Sequence, residues 1–223
     1  MTTNIDQKAI KCAVFDLDGT LLNTIKTINY YLNFALDTCG LPHVSEADTM
    51  SFVGNGAVKL IERTLNSVGG DADLFDLLFK TYNDAYNASP YYLTEVYDGI
   101  SEVLSALKKK GIKLAVLSNK PDFATKAAVE HFFGDTFDIV RGGRKNIPLK
   151  PCPDALFDIM KEMSVTPEET AYIGDSEPDV LTAKNAGIKN AFFLTHGFRT
   201  REQLLSAGAE ILCNDPLDIL NFI

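Results

Sequence analysis

Short apolar runs, each ending at a turn, recur along this 223-residue chain and constrain its fold more than any other feature. Each run is long enough for one buried strand and too short for a buried helix. Segments with apolar residues at helical spacing lie between them, such as 100–110, 154–163 and 180–186. This alternation predicts an α/β fold with a doubly wound (Rossmann-like) parallel sheet covered on both faces. The predicted strands are 11–15, 112–117, 137–140, 170–173, 191–194 and, more weakly, 210–212.

Residues 24–89 have a different pattern, with no convincing strand. Ser45 and Asp48 have the spacing of a helix capping box, and glycines punctuate the stretch. An all-α insert is therefore predicted directly after the first strand. We expect an α/β core domain formed by 1–22 and 91–223 and a helical cap domain formed by 23–90. The helical segments of the cap are predicted at 24–39, 46–53, 57–67 and 74–88.

The net charge of the chain limits the kinds of molecule to which the protein is expected to bind. Thirty acidic and 21 basic residues give a net charge of −9, which disfavours non-specific binding to nucleic acid or anionic lipid. No run reaches the ~18 apolar residues of a membrane span, and residues 1–11 lack the apolar centre of a secretory signal. We expect a cytoplasmic protein, monomeric or homodimeric, that acts on a small molecule without nucleic acid or membrane.

Two carboxylates follow the first predicted strand. Asp16 and Asp18 are two residues apart, and Gly19 permits a sharp turn after them. Ligand sites of parallel sheets lie at the carboxyl ends of strands, and clustered carboxylates require a cation or a shared proton. A calcium loop is excluded because its twelfth position is Thr27 rather than glutamate. An ordinary Asp-x-Asp-Gly turn stays open as the alternative.

A second acidic cluster follows the predicted strand 170–173. Asp175 comes directly after Gly174, and Asp179 lies four residues further on. If Pro178 begins the next helix, Asp179 falls in its first turn, where a carboxylate favours the helix dipole. Asp175 has no such structural explanation. Acid-bearing ends of two strands in one sheet point to a hard divalent cation with oxygen ligands, and Mg²⁺ fits best.

Polar groups also follow the strand 112–117 and a later turn. Ser118 and Asn119 offer a hydroxyl and an amide that can donate to a phosphoryl oxygen, whereas a polar turn ahead of Pro121 is the alternative. Lys150 precedes Pro151, and a single lysine is usually a solvated surface charge. Taken one at a time, these residues do not decide between a site and ordinary loops.

In this order and spacing, the four segments resemble the motifs of the haloacid dehalogenase superfamily. They are Asp-Leu-Asp-Gly-Thr-Leu at 16–21, Ser-Asn at 118–119, Lys-Pro at 150–151 and Gly-Asp-Ser-x-x-Asp at 174–179. The helical insert resembles the C1-type cap of that superfamily. Finer features resemble its phosphoglycolate phosphatase branch: Val-Gly-Asn-Gly at 53–56, Tyr-Asp-Gly-Ile at 97–100, Asn-Lys-Pro at 119–121, and Gly-Gly at 142–143.

The resemblance implies a Mg²⁺-dependent phosphatase acting on a small phosphorylated metabolite, with 2-phosphoglycolate as the first candidate. Asp16 would be the nucleophile that forms an aspartyl-phosphate, and Asp18 the general acid and base. The metal would be held by the Asp16 and Asp175 carboxylates and the Asp18 backbone carbonyl. Asp179 would act on the metal indirectly or through water.

The phosphoryl oxygens would be held by Ser118, the Asn119 amide and Lys150. Asn55 in the cap is a candidate for substrate selection. One position departs from the branch, since Asn23 stands where an acid is usual, which puts details of the substrate and of cap closure in question. A phosphosugar mutase, a pyrophosphatase, a nucleotidase and a non-catalytic binding protein on the same scaffold are the alternatives.

Overall fold

The structure, a computed structural model, describes residues 9–223. Residues 1–8, which belong to the stretch where no secretory signal was predicted, lie outside the described residues. Over residues 9–223, no helix is both long and apolar enough to cross a bilayer. The strands are β1 (Cys12–Phe15), β2 (Leu22–Asn23), β3 (Glu95–Val96), β4 (Lys113–Pro121), β5 (Ile139–Gly143), β6 (Thr170–Gly174), β7 (Asn190–Leu194) and β8 (Ile211–Cys213).

Six of these strands form one parallel sheet in the order β5-β4-β1-β6-β7-β8. β1 is central, and Phe15 at its end is in register with Val116 of β4 and Ile173 of β6. The strand order reverses beside β1, because the chain builds outward first on one side and then on the other. Such a switch point opens a crevice at the carboxyl ends of the strands.

Helices cover both faces of the sheet, as the predicted fold class requires. The α-helices of residues 9–223 are α1 (Ile25–Thr38), α2 (Glu46–Phe52), α3 (Ala57–Val68), α4 (Phe75–Ala88), α5 (Ile100–Lys109), α6 (Asp122–Phe133), α7 (Asp154–Met163), α8 (Glu177–Asn185) and α9 (Arg201–Ala207). Side chains alternate along β1, so Ala13 and Phe15 pack with α5 and α6, whereas Cys12 and Val14 pack with α7 and α8. The prediction of a doubly wound α/β sheet is confirmed.

The helices α1–α4, residues 25–88, form the helical insert. They bury their own apolar cluster, which includes Leu32, Leu36, Ile61 and Leu78. The Ser45 capping box predicted from sequence is present at the start of α2. The division of the chain into domains at 22/23 and 90/91 stays a prediction.

A two-stranded antiparallel ribbon joins the insert to the sheet. β2 and β3 pair Leu22 with Val96 and Asn23 with Glu95. The chain therefore enters and leaves the insert through adjacent segments. Neither strand was predicted, because two residues are too few for a periodic signal.

Other element bounds differ modestly from the predicted ones. β4 continues through Ser118, Asn119 and Lys120 to Pro121, with an irregular register after Leu117. α8 begins at Glu177, three residues earlier than predicted, because Ser176 and Asp179 form a capping box around its first turn.

Candidate active site

The candidate site is built at the end of β1, where Asp16 leaves the central strand. Asp175 directly follows the end of the neighbouring strand β6, one position beyond the register partner of Asp16, and Asp179 lies in the first turn of α8. All three carboxylates are buried, and one oxygen of each lies within 4.8 Å of the others. The structure thus brings the two predicted acidic clusters together.

Lys150 provides the positive charge of this cluster. Its Nζ lies 2.8 Å from Asp16 Oδ1 and 2.6 Å from Asp179 Oδ1. Its side chain is 3% exposed, so it is not the solvated surface lysine of the alternative interpretation. We call the set Asp16, Lys150, Asp175 and Asp179 the floor of the site.

The charges of the floor do not balance, since three carboxylates face one ammonium. Burial, and secondarily the charge of Asp179, raises the pKa of Asp16 to about 7, although Lys150 opposes this shift. Burial and the other two carboxylates raise the pKa of Asp175 well above its ordinary value. Burial acts on Asp179 too, but Lys150 and three hydrogen bonds outweigh it and lower the pKa of Asp179.

This donor set fits a divalent cation. Asp16 Oδ1 has Lys150 as an ion-pair partner but receives no hydrogen bond of acceptable geometry. Two carboxylates whose ionised forms are disfavoured by burial and mutual repulsion would be stabilised by a cation between them. Carboxylate oxygens are the ligands that Mg²⁺ prefers.

Asp175 is held rigidly on both sides. Its Oδ1 accepts a hydrogen bond from Thr20 Oγ1 at 2.7 Å, and its Oδ2 accepts one from the backbone N–H of Phe198 at 2.8 Å. Gly19 and Gly197 pack against the carboxylate so closely that a Cβ at either position would collide with it. These glycines allow two loops to fix the orientation of one side chain.

Asp179 is saturated by donors. Tyr172 Oη and Lys150 Nζ donate to its Oδ1, and Ser176 donates to its Oδ2 from both the backbone N–H and the hydroxyl. Asp179 does lie in the first turn of α8, where its Oδ2 forms the capping box with Ser176. Its other oxygen orients Lys150, which indicates a positioning role as well as a structural one.

Ser118 and Asn119 lie beside the floor at the end of β4. The Asn119 side chain donates to the carbonyls of Gly54 (3.0 Å) and Lys150 (3.1 Å) and accepts from Lys150 N–H at 2.8 Å. Its side-chain amide is therefore engaged in bracing Lys150 against the insert. The predicted binding of a phosphoryl oxygen by the Asn119 amide stays a prediction.

Asp18 points into the same crevice and contacts a lysine with no predicted role. Lys120 Nζ lies 3.2 Å from both Asp18 carboxylate oxygens and donates to Tyr86 Oη at 2.8 Å. It also lies 4.7 Å from the centroid of the Tyr86 ring. Tyr86 belongs to α4, so this contact connects the insert to Asp18.

A cavity of about 100 Å³ opens over the floor. On the side facing the sheet, the cavity is lined by Asp16 and Lys150 of the floor together with Asp18, Ser118 and Lys120. The opposite side, which we call the roof, consists of cavity-lining residues of the insert: Ile28, Val53, Leu60, Tyr82, Asn83 and Tyr86. The floor is charged, whereas the roof is mostly apolar.

Asn55 is placed elsewhere. It lines a different depression, and its Oδ1 accepts a hydrogen bond from Arg63 at 2.8 Å. Gly54 and Gly56 on either side of it do line the cavity. A direct contact of the Asn55 side chain with substrate is not supported by this conformation, and its part in substrate selection stays a prediction.

Arg199, in the loop after β7, forms hydrogen bonds to the helical insert. This buried side chain donates to the carbonyls of Met50 and Val53 at the end of α2 and to Glu177 Oε2 at 2.7 Å. The preceding residue, Phe198, packs into the apolar cluster of the insert. The loop after β7 therefore holds both Asp175 and the insert.

The family model for haloacid dehalogenase-like hydrolases matches residues 13–193, which is most of the chain. The chain belongs to the haloacid dehalogenase-like hydrolase family. The resemblance inferred from the four motifs is confirmed, and so is the prediction that the chain is a hydrolytic enzyme.

Members of this family with high similarity include named phosphatases. The chain is 33% identical to a phosphoglycolate phosphatase from Vibrio vulnificus, with 97% of each chain covered. It is 31% identical to phosphoglycolate phosphatase 1 from Pseudomonas aeruginosa, covering 94% of this chain and 78% of that one. A solved structure from Lactobacillus delbrueckii subsp. bulgaricus has a TM-score of 0.92 at 29% identity, over 97% and 99% of the two chains.

A predicted phosphoglycolate phosphatase from Haemophilus somnus is also similar, with a TM-score of 0.89 at 28% identity over 96% and 97% of the chains. The chain is therefore similar over nearly its whole length to phosphatases of the haloacid dehalogenase-like family. The individual site roles, the predicted monomer or homodimer and the identity of the metal stay predictions.

Sequence reasoning missed several residues that shape this family member's site. Lys120 follows Ser118-Asn119 directly, so its place at a strand end was a signal that went unused. Thr20 reaches Asp175 from within the first motif, and Tyr172 reaches Asp179 from the strand that precedes the last motif. Arg199 gave no signal, because its partners are backbone carbonyls distant in sequence.

Proposed function

We propose that the protein is a Mg²⁺-dependent phosphatase that hydrolyses a small phosphorylated metabolite through an aspartyl-phosphate on Asp16, with 2-phosphoglycolate as the first substrate to test. One observation carries the proposal: the buried carboxylates of Asp16, Asp175 and Asp179 lie within 4.8 Å of one another, and the Lys150 ammonium pairs with two of them, Asp16 and Asp179. This arrangement combines a nucleophile, a cation site and a phosphate-binding ammonium.

Asp16 is the nucleophile in the proposed reaction. One of its oxygens forms the bond to phosphorus while the bond from phosphorus to the leaving oxygen breaks, which yields an acyl phosphate and the released alcohol. Asp16 lies at the end of a rigid central strand, so its carboxylate is oriented before the substrate arrives.

Asp18 moves the protons. It lies on the cavity wall near Asp16, protonates the leaving oxygen in the first step and accepts a proton from the attacking water in the second. Water attack then releases phosphate and regenerates the Asp16 carboxylate. The two carboxylates therefore have separate roles set by position.

Asp16, Asp175 and the Asp18 backbone carbonyl would hold Mg²⁺, which when bound offsets repulsion between the nucleophile and the phosphate. Lys150 and the Ser118 hydroxyl bind the phosphoryl oxygens from the sheet side. Asp179 keeps the Lys150 ammonium in place at 2.6 Å. Closure of the cavity by the roof keeps bulk water away from the reacting groups.

Cavity size and the relatives support a small substrate. A volume of about 100 Å³ is below the ~300–1,000 Å³ of sites for drug-sized ligands. Named relatives at 31% and 33% identity are phosphoglycolate phosphatases. Both observations favour a metabolite of a few carbons over a nucleotide.

The test is phosphate release from a panel of compounds with Mg²⁺ and with a chelator. The panel holds 2-phosphoglycolate, pyrophosphate, β-glucose 1-phosphate and a nucleoside monophosphate. We expect Mg²⁺-dependent release, fastest from 2-phosphoglycolate. Equal release with chelator would contradict the metal, and isomerised sugar phosphate without free phosphate would favour a mutase.

Asp16→Asn is the decisive variant, since it removes the nucleophile and keeps the shape. We expect a loss of activity of several orders of magnitude, as for other catalytic nucleophiles. Its melting temperature should be equal or higher, because a buried carboxylate that faces Asp179 is removed. A folded Asp16→Asn protein with full activity would falsify the proposed mechanism.

A further inference from the structure

The proposed reaction leaves one buried cation of the cavity without a role. Lys120 Nζ is enclosed by Asp18 and Tyr86, and its side chain is 11% exposed. In the proposed reaction, Lys150 and Ser118 already bind the phosphoryl oxygens. Among the described residues that line the cavity, Lys120 and Lys150 are the two cations. A second cation beside the phosphate site therefore needs an explanation.

The position of Lys120 defines where an anion bound to it would lie. Its Nζ is 3.2 Å from both oxygens of Asp18, the residue that faces the leaving oxygen in the proposed reaction. An anion on Lys120 would therefore lie within a few ångströms of that oxygen. A group attached one or two atoms beyond the leaving oxygen can reach this point.

The neighbours of Lys120 also suit a small polar group. Asn83 and Asn87 line the same end of the cavity from α4, while Phe123 and Ala124 supply apolar surface from α6. An anion here would meet one ammonium, the Tyr86 hydroxyl and amide groups. A neutral apolar group would meet a buried ammonium that it cannot pair with.

Charge balance supplies the second argument. In the structure Asp18 is the carboxylate that pairs with Lys120. When Asp18 turns to the leaving oxygen, Lys120 loses this partner in a buried place, which is costly unless another anion replaces it. A substrate that carries its own anion at this point would both bind Lys120 and free Asp18 for the reaction.

For the phosphatase reaction proposed above, on which this assignment rests, we propose that Lys120 is a specificity-determining residue that binds a second anionic group of the substrate, close to the leaving oxygen. The substrate class is then small phosphomonoesters with a carboxylate or a second phosphate one or two carbons from the scissile bond. The roof contributes through Tyr86, which holds Lys120 in place.

The test compares three substrates that differ in the group near the leaving oxygen. They are 2-phosphoglycolate, which carries a carboxylate, ethylene glycol bisphosphate, which carries a second phosphate, and ethyl phosphate, which carries neither. Wild-type kcat/KM should be at least about 100-fold higher for one or both compounds with a second anionic group than for ethyl phosphate. The better of the two identifies which anion the site takes.

Lys120→Met should abolish this preference. We expect the ratio of kcat/KM for the preferred anionic substrate to kcat/KM for ethyl phosphate to fall by about 100-fold or more, whereas loss of the Lys120–Asp18 contact lowers the activity on all three substrates alike. Lys120→Arg should restore part of the preference because it keeps the charge. Lys126→Met is the matched control, since Lys126 is an exposed lysine of α6 that pairs with Asp122.

Two results would overturn the assignment. One is a wild-type enzyme that hydrolyses ethyl phosphate as well as the anionic compounds, and this comparison needs no variant to fold. The other is a folded Lys120→Met protein that loses activity equally on all three substrates, because Lys120 would then only position Asp18. Absence of phosphate release from every compound by wild type would instead refute the phosphatase function itself.

Discussion

The floor and the roof of the cavity differ in how they are built. The floor consists of four charged side chains, from strand ends and adjoining loops, that contact one another inside the protein. The roof consists of apolar, tyrosine and asparagine side chains on the helices of the insert. Chemistry common to a family requires the first kind of surface, whereas selection among substrates requires the second. The two surfaces should therefore respond differently to substitution.

Lys150→Met should produce the largest loss of stability and test the floor most severely. It leaves the buried carboxylates of Asp16 and Asp179 without their ammonium, so we expect a loss of about 3–5 kcal/mol in the free energy of unfolding. Activity should fall about 10²–10³-fold through loss of a phosphoryl contact. Chemical denaturation and phosphate release measure the two effects.

Lys126→Met again serves as the control for loss of a lysine, and it should change neither quantity appreciably. A Lys150→Met protein as stable and active as wild type would show that the buried charges of the floor are not coupled.

Gly197→Ala tests whether the loop after β7 fixes Asp175. The added Cβ would lie 2.3 Å from the Asp175 Cβ and 2.4 Å from its Oδ2, so the loop or Asp175 must shift, which displaces the carboxylate from the proposed cation site. We expect the Mg²⁺ concentration for half-maximal activity to rise about 10–100-fold, as for other changes that disorient a metal ligand. A Mg²⁺ titration of phosphate release measures it.

Thr195→Ala, in the same loop but directed to Asn214 at 3.0 Å, is the matched control. An unchanged Mg²⁺ requirement in Gly197→Ala would exclude Asp175 as a ligand oriented by this loop.

The floor should also make the metal-free protein sensitive to pH. The pKa of Asp16 is raised to about 7 from an ordinary value near 4, so in this interval the folded state binds more protons than the unfolded state. The Asp16 contribution to stability therefore decreases as pH rises from about 4 to 7. Melting temperatures in chelator should show this decrease, and Asp16→Asn should weaken it.

Added Mg²⁺ should raise the melting temperature more at pH 8 than at pH 5, because it binds the ionised carboxylates. Equal stabilisation at both pH values would contradict a metal site built on Asp16 and Asp175.

Arg199→Met should have the smallest effect on catalytic activity. It tests whether hydrogen bonds from Arg199 hold the roof in place over the cavity. The variant loses hydrogen bonds to Met50, Val53 and Glu177, each worth about 1.5–3 kcal/mol at most for a charged donor. We expect a lower melting temperature and a KM raised a few-fold, with kcat changed less. Arg201→Met, at an exposed position in α9, controls for the lost charge. A fall in kcat alone would place Arg199 with the floor.

The floor was predictable from sequence for a physical reason. Its residues follow short, strongly apolar strands, and parallel strands bring their carboxyl ends to one edge. The spacing of Asp16 and Asp175 from their strands therefore determined that they would meet. The side-chain amide of Asn119 was not predictable in this way, because its partners, Gly54 and Lys150, come from other loops.

The sequence predicts that the roof is helical, but it does not predict which residues of these helices face the cavity. The apolar periodicity of α1–α4 gave their approximate bounds, since each helix has one buried face. Which residues face the cavity depends on how the helices pack on the sheet domain, and no local pattern encodes that. The contact of Tyr86 with Lys120 is the clearest example.

Two helices were missed for different reasons. α6 has a weak amphipathic pattern, with Phe123 63% exposed on a helix whose buried residues are small. α9 has a capping box formed by Thr200 and Gln203, and this signal was present in the sequence but not used. Only the first omission reflects a limit of the sequence itself.

The β2–β3 ribbon has an evolutionary consequence. The chain leaves the sheet domain and returns to it through paired residues, Leu22 beside Val96 and Asn23 beside Glu95. A segment whose two ends are adjacent can be exchanged for another without breaking the host fold. Recombination at this ribbon could therefore give a descendant protein a new roof, and with it a new substrate, while its inherited reaction chemistry stays intact.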